Sequence, residues 1–206
     1  MDKAYLIKQL KDLSDLSGLG IPDEVIEKVI SFARFKVYSK GEVFARTGDN
    51  AATAGIVLSG LVRSYYVDKD GNDITQYFAS EGGWCIDSGM VGFDEMQANW
   101  EAISDATVML FDVRDMKDLI YGDEQLKDKW IMVLESGMRY KIYRENGFLT
   151  ESAAERYIAF RKRYPKLVER IPLRYIATYL GITPESLSRI RGAMKEGMIT
   201  TPRSRS

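Results

Sequence analysis

The strongest constraint on how this chain folds lies in residues 172–191, which have the spacing of two short helices joined by a tight turn. Ala177 and Leu180 fall on one face of the first helix, and Ala177 is small where a second helix would cross closely. Gly181 follows at the turn, where a left-handed backbone costs little only in a residue without a Cβ atom. This spacing predicts a helix-turn-helix.

The second helix of the pair has a recognisable start and a polar outer face. Pro172 is suited to the first helical position of the first helix, while Thr183 and Pro184 predict the cap and first residue of the second. Leu187 and Ile190 are expected to pack back on the first helix. The polar face that remains carries Glu185, Ser186, Ser188 and Arg189.

This polar face has the chemistry needed to read DNA. Arg189 can form two hydrogen bonds with a guanine edge, Glu185 can accept one from a cytosine amino group, and Ser186 can reach a phosphate or a base. An ordinary helical hairpin with a solvated polar face is the alternative, but the basic surroundings favour DNA. Candidate phosphate contacts are Thr183, Ser188, Arg191, Arg174 and Arg170, with Lys162, Arg163 and Lys166 as further surface cations.

The basic character of this region becomes visible only when the chain is divided. Residues 151–206 carry 12 Lys and Arg against 5 Asp and Glu, whereas residues 1–150 carry 17 against 25. The two parts therefore have formal charges of +7 and −8, although the whole chain has a net charge of −1. An acidic front joined to a basic tail indicates that the tail meets a polyanion.

The residue types that are missing exclude several kinds of site. The chain has no histidine, so it can form neither a Ser-His-Asp or Cys-His catalytic set nor a histidine-containing metal site. Its single cysteine, Cys85, cannot form an internal disulfide, and one thiolate cannot hold an iron–sulfur cluster. No apolar run has the length of a membrane span or a signal peptide. We therefore expect a cytoplasmic protein that is not an enzyme, without catalytic residues or a metal.

The front of the chain predicts helices followed by many short strands. Residues 5–33 have helical periodicity, and short apolar segments punctuated by glycine extend from about 36 to 112. Residues 68–73 predict a hairpin turn, because Gly71 and Asn72 accept a positive φ. Strands of this length and spacing favour a closed antiparallel barrel or roll.

A long helix is predicted between about Asp123 and Asn146, a stretch without proline. Its centre, residues 130–134, is apolar on every face, and such a helix needs two partners. A monomer core could supply both of them, but we favour the same helix of a second subunit as one. Gly147 is expected to stop this helix and Thr150 to cap the next.

These segments together resemble the Crp/Fnr superfamily of transcription regulators. The matching segments are Tyr38-Ser39-Lys40-Gly41-Glu42, Gly48, residues 58–63 with Asp70-Gly71, and residues 176–189. The resemblance implies an α+β fold with an N-terminal antiparallel β-roll (a double-stranded β-helix of the cyclic-nucleotide-binding type), a long dimerisation helix and a C-terminal winged helix-turn-helix. It also implies that Glu185 and Arg189 occupy the two base-reading positions of the recognition helix.

The phosphate-binding stretch departs from the family pattern. Members that bind a cyclic nucleotide carry a Gly-Glu pair for the ribose and an Arg-Ser or Arg-Thr pair for the phosphate. Here Trp84 stands near the Glu position and Met96-Gln97 near the Arg-Ser position, and no Arg or Lys occurs between Lys69 and Arg114. A buried phosphate without a cation is costly, so we do not expect cyclic AMP to bind in the usual way.

The interior of the roll therefore has two interpretations. Side chains such as Trp84 and Met90 fill it, which we slightly prefer, or it holds an unknown small-molecule effector with less charge. The candidate effector pocket consists of Trp84, Cys85, Asp87, Met96 and Gln97. Redox sensing through Cys85 ranks lower, because no cation lies near it in the sequence to stabilise a thiolate.

The end of the chain departs from the family as well. Only Thr200–Ser206 follow where the family completes a β-hairpin wing, so the winged domain is expected to be truncated. Arg203 and Arg205 could then contact phosphates as a flexible arm.

Three domains are expected: a sensor roll with N-terminal helices over residues 1–120, a dimerisation helix over 121–148 and a DNA-binding domain over 149–206. The predicted function is that of a homodimeric, sequence-specific transcription regulator acting on a near-palindromic site in double-stranded DNA, with no membrane partner. RNA polymerase is a further candidate partner, and no cofactor is assigned. The alternative is a sensor or protein-interaction module with a degenerate helix-turn-helix that does not bind DNA specifically.

Overall fold

The computed structural model describes residues 3–196 and divides the chain into two compact units. The first unit comprises the chain up to Tyr66 together with Gln76–Met132, and the second comprises Val67–Thr75 and the chain from Val133 on. The predicted wing, with Arg203 and Arg205, lies outside the described residues.

The first unit contains the helices and strands that the periodicity of the front half predicts. Its helices are α1 (Lys3–Leu16), α2 (Asp23–Phe32), α3 (Val113–Tyr121) and the first turns of α4 (Glu124–Thr150). The strands are β1 (Arg34–Tyr38), β2 (Val43–Ala45), β3 (Thr53–Ser59), β4 (Val62–Val67), β5 (Asp73–Ala79), β6 (Trp84–Cys85), β7 (Asn99–Ala102) and β8 (Ala106–Asp112). They belong to this unit except at the β4–β5 hairpin, where Val67–Thr75 belong to the second. The two-residue strand β6 is too short to give a periodic signal, so the sequence does not predict it.

The strands form two antiparallel four-stranded sheets, with orders β1-β8-β3-β6 and β2-β7-β4-β5. Apolar side chains from both sheets meet in one core, including Val57, Val62, Trp100, Ala102 and Val108. Except at the β4–β5 hairpin, consecutive strands alternate between the two sheets, which is the arrangement of a β-roll. The predicted roll is therefore confirmed, as is the α+β fold class.

A strained residue lies directly after β6. Ile86 has a φ of +46°, a left-handed backbone that a β-branched side chain rarely adopts, and it is the only non-glycine with positive φ among the described residues. Its side chain is nevertheless buried in the core. The burial of this side chain offsets the cost of the backbone conformation.

The boundary between α4 and the next helix lies a few residues later than the sequence predicts. Helix α4 continues through Gly147 to Thr150, so the expected stop at Gly147 and cap at Thr150 are wrong. A Cβ atom at Gly147 would lie 3.1 Å from Glu151 Oε2, the end of a flexible side chain one turn further along. The N-cap of helix α5 (Ala153–Arg163) is Ser152, whose hydroxyl and backbone form a capping box with Glu155.

The helix-turn-helix is present where the glycine and its flanking apolar residues predict it. Helix α6 spans Leu173–Tyr179 and helix α7 spans Pro184–Lys195. Pro172 is the N-cap of α6 rather than its first helical residue, a difference of one position. Thr183 and Pro184 are the N-cap and first residue of α7, as predicted.

The strain at Ile86 predicts an unusual order of stability between two substitutions. In an ordinary strand, Gly is about 0.5–1 kcal/mol less stable than Ala. At Ile86 the left-handed backbone costs Ala about 1–2 kcal/mol that Gly does not bear. We expect Ile86→Gly to unfold at an equal or higher denaturant concentration than Ile86→Ala. At Val57, which is buried in β3, Val57→Gly should unfold at a lower denaturant concentration than Val57→Ala. The same order of the Gly and Ala variants at both positions would contradict the prediction.

Candidate nucleic-acid interface

The helix-turn-helix is held together by a small apolar contact between α6 and α7. Ile176, Ala177 and Leu187 are fully buried, and Leu180 is 2% exposed. Gly181 has a φ of +68°, which provides the sharp turn between the helices. Ile190 is half-buried at the edge of this contact. The outer face of α7 is therefore fixed by packing on its inner face.

The first turn of α7 is organised by hydroxyl groups. Thr183 Oγ1 accepts a hydrogen bond from the Ser186 backbone N–H at 3.2 Å, as an N-cap does, and the two hydroxyl oxygens are also 3.2 Å apart. Arg189 Nη2 lies one turn further on, 3.4 Å from Ser186 Oγ. The structure thus places Thr183, Ser186 and Arg189 in one row along the start of the helix.

The predicted base-reading residues lie on the outside of the unit. Glu185, Ser188 and Arg189 are exposed and Ser186 is half-buried. The backbone N–H of Glu185 and the Thr183 hydroxyl hold the pKa of the Glu185 carboxyl below its usual value, and Arg189 adds to this effect. Glu185 is therefore an ionised acceptor beside a cationic donor.

The candidate phosphate contacts differ in exposure and in the contacts that they already make within the chain. Arg170 is exposed before α6, and Arg191 is half-buried on α7. Arg174 is exposed, but its Nη2 donates to the Tyr175 hydroxyl at 2.7 Å and its guanidinium lies over the same ring. Arg163 is exposed as well, and its guanidinium stacks on the Tyr140 ring at 4.7 Å. Lys162 and Lys166 are exposed.

A cluster of aromatic side chains, which the sequence did not predict, forms the interior of the second unit. Tyr140 of α4 and Tyr179 of α6 join hydroxyl to hydroxyl at 3.0 Å. Phe160 and Tyr164 pack on Tyr179 with ring centroids 5.1 and 6.4 Å away. Burial raises the pKa of Tyr140 to about 12 and also raises that of Tyr179. Both phenols are therefore neutral and act as a hydrogen-bonded pair at neutral pH.

The residues of the predicted effector pocket divide between the core and the surface of the roll. Cys85 and Met96 belong to the core and are 0% and 2% exposed. Trp84 is half-buried, packing edge-on against Phe111 and tilted against Trp130 at 5.4 Å. Asp87 is half-buried, whereas Gln97 is exposed. The five residues therefore differ in burial, and the effector pocket stays a prediction.

Cys85 has the properties of a core residue. Burial raises the pKa of its thiol well above the ordinary value, and the nearby Asp87 carboxylate raises it further. A thiol that remains protonated is a poor nucleophile and is oxidised slowly.

The described part of the chain shows neither a metal cluster nor a membrane span. Between residues 3 and 196, no three or more Cys, Asp or Glu side chains lie together in a way that could hold a metal ion. No helix in the same range combines the length and apolarity needed to cross a membrane.

Comparison with known proteins shows what the roll is similar to. The family model described as the cyclic nucleotide-binding domain matches residues 35–123. No curated protein matches the chain. The matched residues extend from β1 through α3, so the likeness to this domain family covers the strands of the roll.

Solved structures extend this likeness to the helices that follow. FixK2 from Bradyrhizobium japonicum is 23% identical with a TM-score of 0.69, over 84% of this chain and 90% of that one. The c-di-GMP responsive global regulator CLP from Xanthomonas campestris is 14% identical with a TM-score of 0.66, over 89% and 96%. TTHB099, a CRP-family transcriptional regulator from Thermus thermophilus, is 21% identical with a TM-score of 0.62, over 82% and 88%. The predicted resemblance to the Crp/Fnr superfamily is confirmed at the level of the fold.

The residues of this roll do not fit the cyclic phosphate that the name of the matched domain family implies. Arg63, a buried arginine of the roll, is paired with Glu101 at 2.6 Å. Both residues point away from the core, because their strand neighbours Val62 and Ala102 point into it. The stretch between Lys69 and Arg114 contributes no cation. A cyclic phosphate in the core would therefore lack a counter-charge.

The Tyr140–Tyr179 pair predicts a loss of stability at alkaline pH. An unfolded phenol loses its proton near pH 10, whereas folded Tyr140 keeps it to about pH 12. Between pH 10 and pH 12 the folded state keeps a proton that the unfolded state has lost. The contribution of Tyr140 to the free energy of unfolding is therefore fully present below pH 10. It decreases toward pH 12 by up to about 1.4 kcal/mol per pH unit. Urea unfolding from pH 8 to 11.5 should show a shallower decrease for Tyr140→Phe than for the unmodified protein. Equal slopes would contradict this assignment.

Proposed function

We propose that this protein is a homodimeric transcription regulator that binds a near-palindromic DNA site with α7. The observation that carries the proposal is the outer face of α7, where Glu185, Ser186 and Arg189 lie together at the start of a capped helix. The fold shared with Crp/Fnr regulators supports it.

The position of these residues suits entry into the major groove. A recognition helix contacts base edges with its N-terminal residues, and Glu185 and Arg189 are the second and sixth residues of α7. The partial positive charge at a helix N-terminus favours the approach of a phosphate, and Thr183 and Ser188 offer hydroxyls nearby. Ionised Glu185 can accept from cytosine, and Arg189 can donate to guanine.

The long helix α4 supports dimerisation because it has two apolar faces. Leu126 and Trp130 are buried in the first unit, and Tyr140 packs inside the second. The opposite face is exposed in the single chain, and its large apolar residues recur at steps of three, four, four and seven. These residues, the α4 stripe, are Ile131, Leu134, Met138, Ile142 and Leu149, each at least 41% exposed. An exposed stripe with this spacing is typical of a helix that pairs with another helix.

Two copies joined through the α4 stripe would present two α7 helices to one side of a duplex. Recognition helices of such dimers enter successive major grooves about 34–36 Å apart. The operator is therefore expected to contain two inverted half-sites. The same proposal includes the domain boundaries predicted at residues 120 and 148 and a contact with RNA polymerase. It does not include regulation by cyclic AMP in the usual way.

Selection of bound duplexes from a random pool, at two salt concentrations, tests the proposed function directly. Enrichment of an inverted repeat, with affinity falling steeply as salt rises, is the expected result, because phosphate contacts release counterions. A sensor or protein-interaction module with a degenerate helix-turn-helix would enrich no sequence. Its weak binding would depend little on salt.

Two arginines of α7 should have different effects on binding. We expect Arg189→Ala to cost about 1–3 kcal/mol on the selected site and to relax the preference at one base position. Arg191→Ala should weaken binding to all sequences alike, because a phosphate contact carries no sequence information. Titration with selected and random duplexes measures both effects, and Arg139→Ala on α4 is the control. Equal losses on both duplexes for both variants would contradict the assignment.

The α4 stripe makes a separate prediction about assembly. Met138→Glu places a charge in the centre of the stripe and should weaken dimerisation by about 2 kcal/mol or more, roughly thirtyfold. Ser136→Glu adds the same charge at another exposed position of α4 and should leave the dimer intact. Sedimentation over a range of concentrations distinguishes the two variants. A dimer that is equally stable in both would exclude the stripe as the interface.

A further inference from the structure

The turn of the helix-turn-helix is held by two arginines from neighbouring helices. Arg144 of α4 donates from Nη2 to the Tyr179 carbonyl at 2.7 Å, and Arg156 of α5 donates from Nε to the Leu180 carbonyl at 3.2 Å. These carbonyls lie at the C-terminal end of α6, where a helix leaves its last acceptors without intrahelical donors. Charged donors are among the strongest partners for such groups.

Aromatic rings complete this contact on both sides. The Arg144 guanidinium lies 3.9 Å from the centre of the Tyr179 ring, and Arg144 and Arg156 each lie 5.2 Å from the centre of the Phe148 ring. A Cβ atom at Gly181 would be 3.0 Å from Phe148 Cε1, so the ring fits against the turn only because that residue is glycine. Planar guanidinium groups that stack and donate at once have little freedom to move.

The spacing along α4 places this contact on the face away from the α4 stripe. Tyr140, Arg144 and Phe148 follow one another at intervals of four residues, so they share one side of the helix. Helix α4 therefore holds the turn with one face and offers the other face for pairing. The direction of α7 relative to the pairing face is then set by the side chains between them.

We propose that Arg144, Arg156 and Phe148 form a clamp that fixes the angle of α7 to α4 and so sets the distance between half-sites that the dimer accepts. The inference rests on the proposed function. These three are positioning residues, because they act on DNA through the turn and not by touching it. The cleft of about 490 Å³ beside them, lined by Tyr143, Glu151 and Lys162, is a neighbouring surface and no part of the clamp.

Changing the spacer between half-sites tests the clamp. The duplex selected by the unmodified protein is compared with duplexes whose spacer is one base pair longer or shorter, which rotates and shifts one half-site. The unmodified protein should discriminate against both by about tenfold or more. In the double variant, Arg144→Gln with Arg156→Gln, the ratio of the affinities for the selected and the altered spacer should fall toward one. The affinity for a single half-site should change by less than about threefold. An unchanged ratio would overturn the proposal.

Matched controls separate the clamp from a general effect of charge. Arg139→Gln on α4 and Arg161→Gln on α5 remove exposed arginines from the same helices and should leave the spacer ratio unchanged. Arg144→Lys keeps the charge but loses the planar stack, so it should restore the ratio only in part. A role confined to fold stability would lower affinity for all duplexes together and leave the ratio as it was.

Hydrogen exchange provides a readout that needs no DNA. The Ile182 amide donates to the Ala177 carbonyl at 3.0 Å across the turn, and the clamp should protect it from exchange. Its exchange should become about tenfold faster for each arginine removed, since one charged hydrogen bond has roughly this effect on an equilibrium. Core amides of β3 should not change. Slow exchange at the turn in the double variant would overturn the clamp, whereas failure to select any DNA would overturn the proposed function alone.

Discussion

The structure depends most on one helix, α4, which carries apolar side chains on two of its faces. Its inner face is covered by its own chain: Trp130 packs against Trp84 in the first unit, and Tyr140 bonds to Tyr179 in the second. Its outer face, the α4 stripe, remains exposed. A helix that is apolar all round needs partners on both sides, and this requirement supports the proposed dimer.

The sequence predicted the helix-turn-helix well because each step of that motif has one physical solution. Only a glycine gives the turn its left-handed backbone at low cost, and only a small residue such as Ala177 allows two helices to cross closely. Thr183 and Pro184 fixed the start of α7 to the residue for the same reason, since a capping hydroxyl and a proline at the first position are both local requirements.

The end of α4 could not be predicted in the same way, because glycine has more than one use. Gly147 lies within a continuous helix, and nothing in the local pattern distinguishes such a glycine from one that stops a helix. The arginine contacts at the turn were hidden for a different reason. Arg144 and Arg156 resemble ordinary surface charges, and only the four-residue spacing of Tyr140, Arg144 and Phe148 hinted at a shared face.

The roll and the helix-turn-helix meet opposite electrostatic demands. A phosphate ligand inside the roll would require a buried cation, and Arg63 is already neutralised by Glu101 on the outer side of its sheet. The second unit instead carries its cations at the surface and, at Arg144 and Arg156, turns two of them inward onto backbone carbonyls. The arginine side chain is suited to both roles, because it can neutralise a phosphate or stack on a ring while it donates hydrogen bonds. The division of charge along the chain agrees with the proposed function, in which the first part keeps an uncharged core and the second part binds a polyanion.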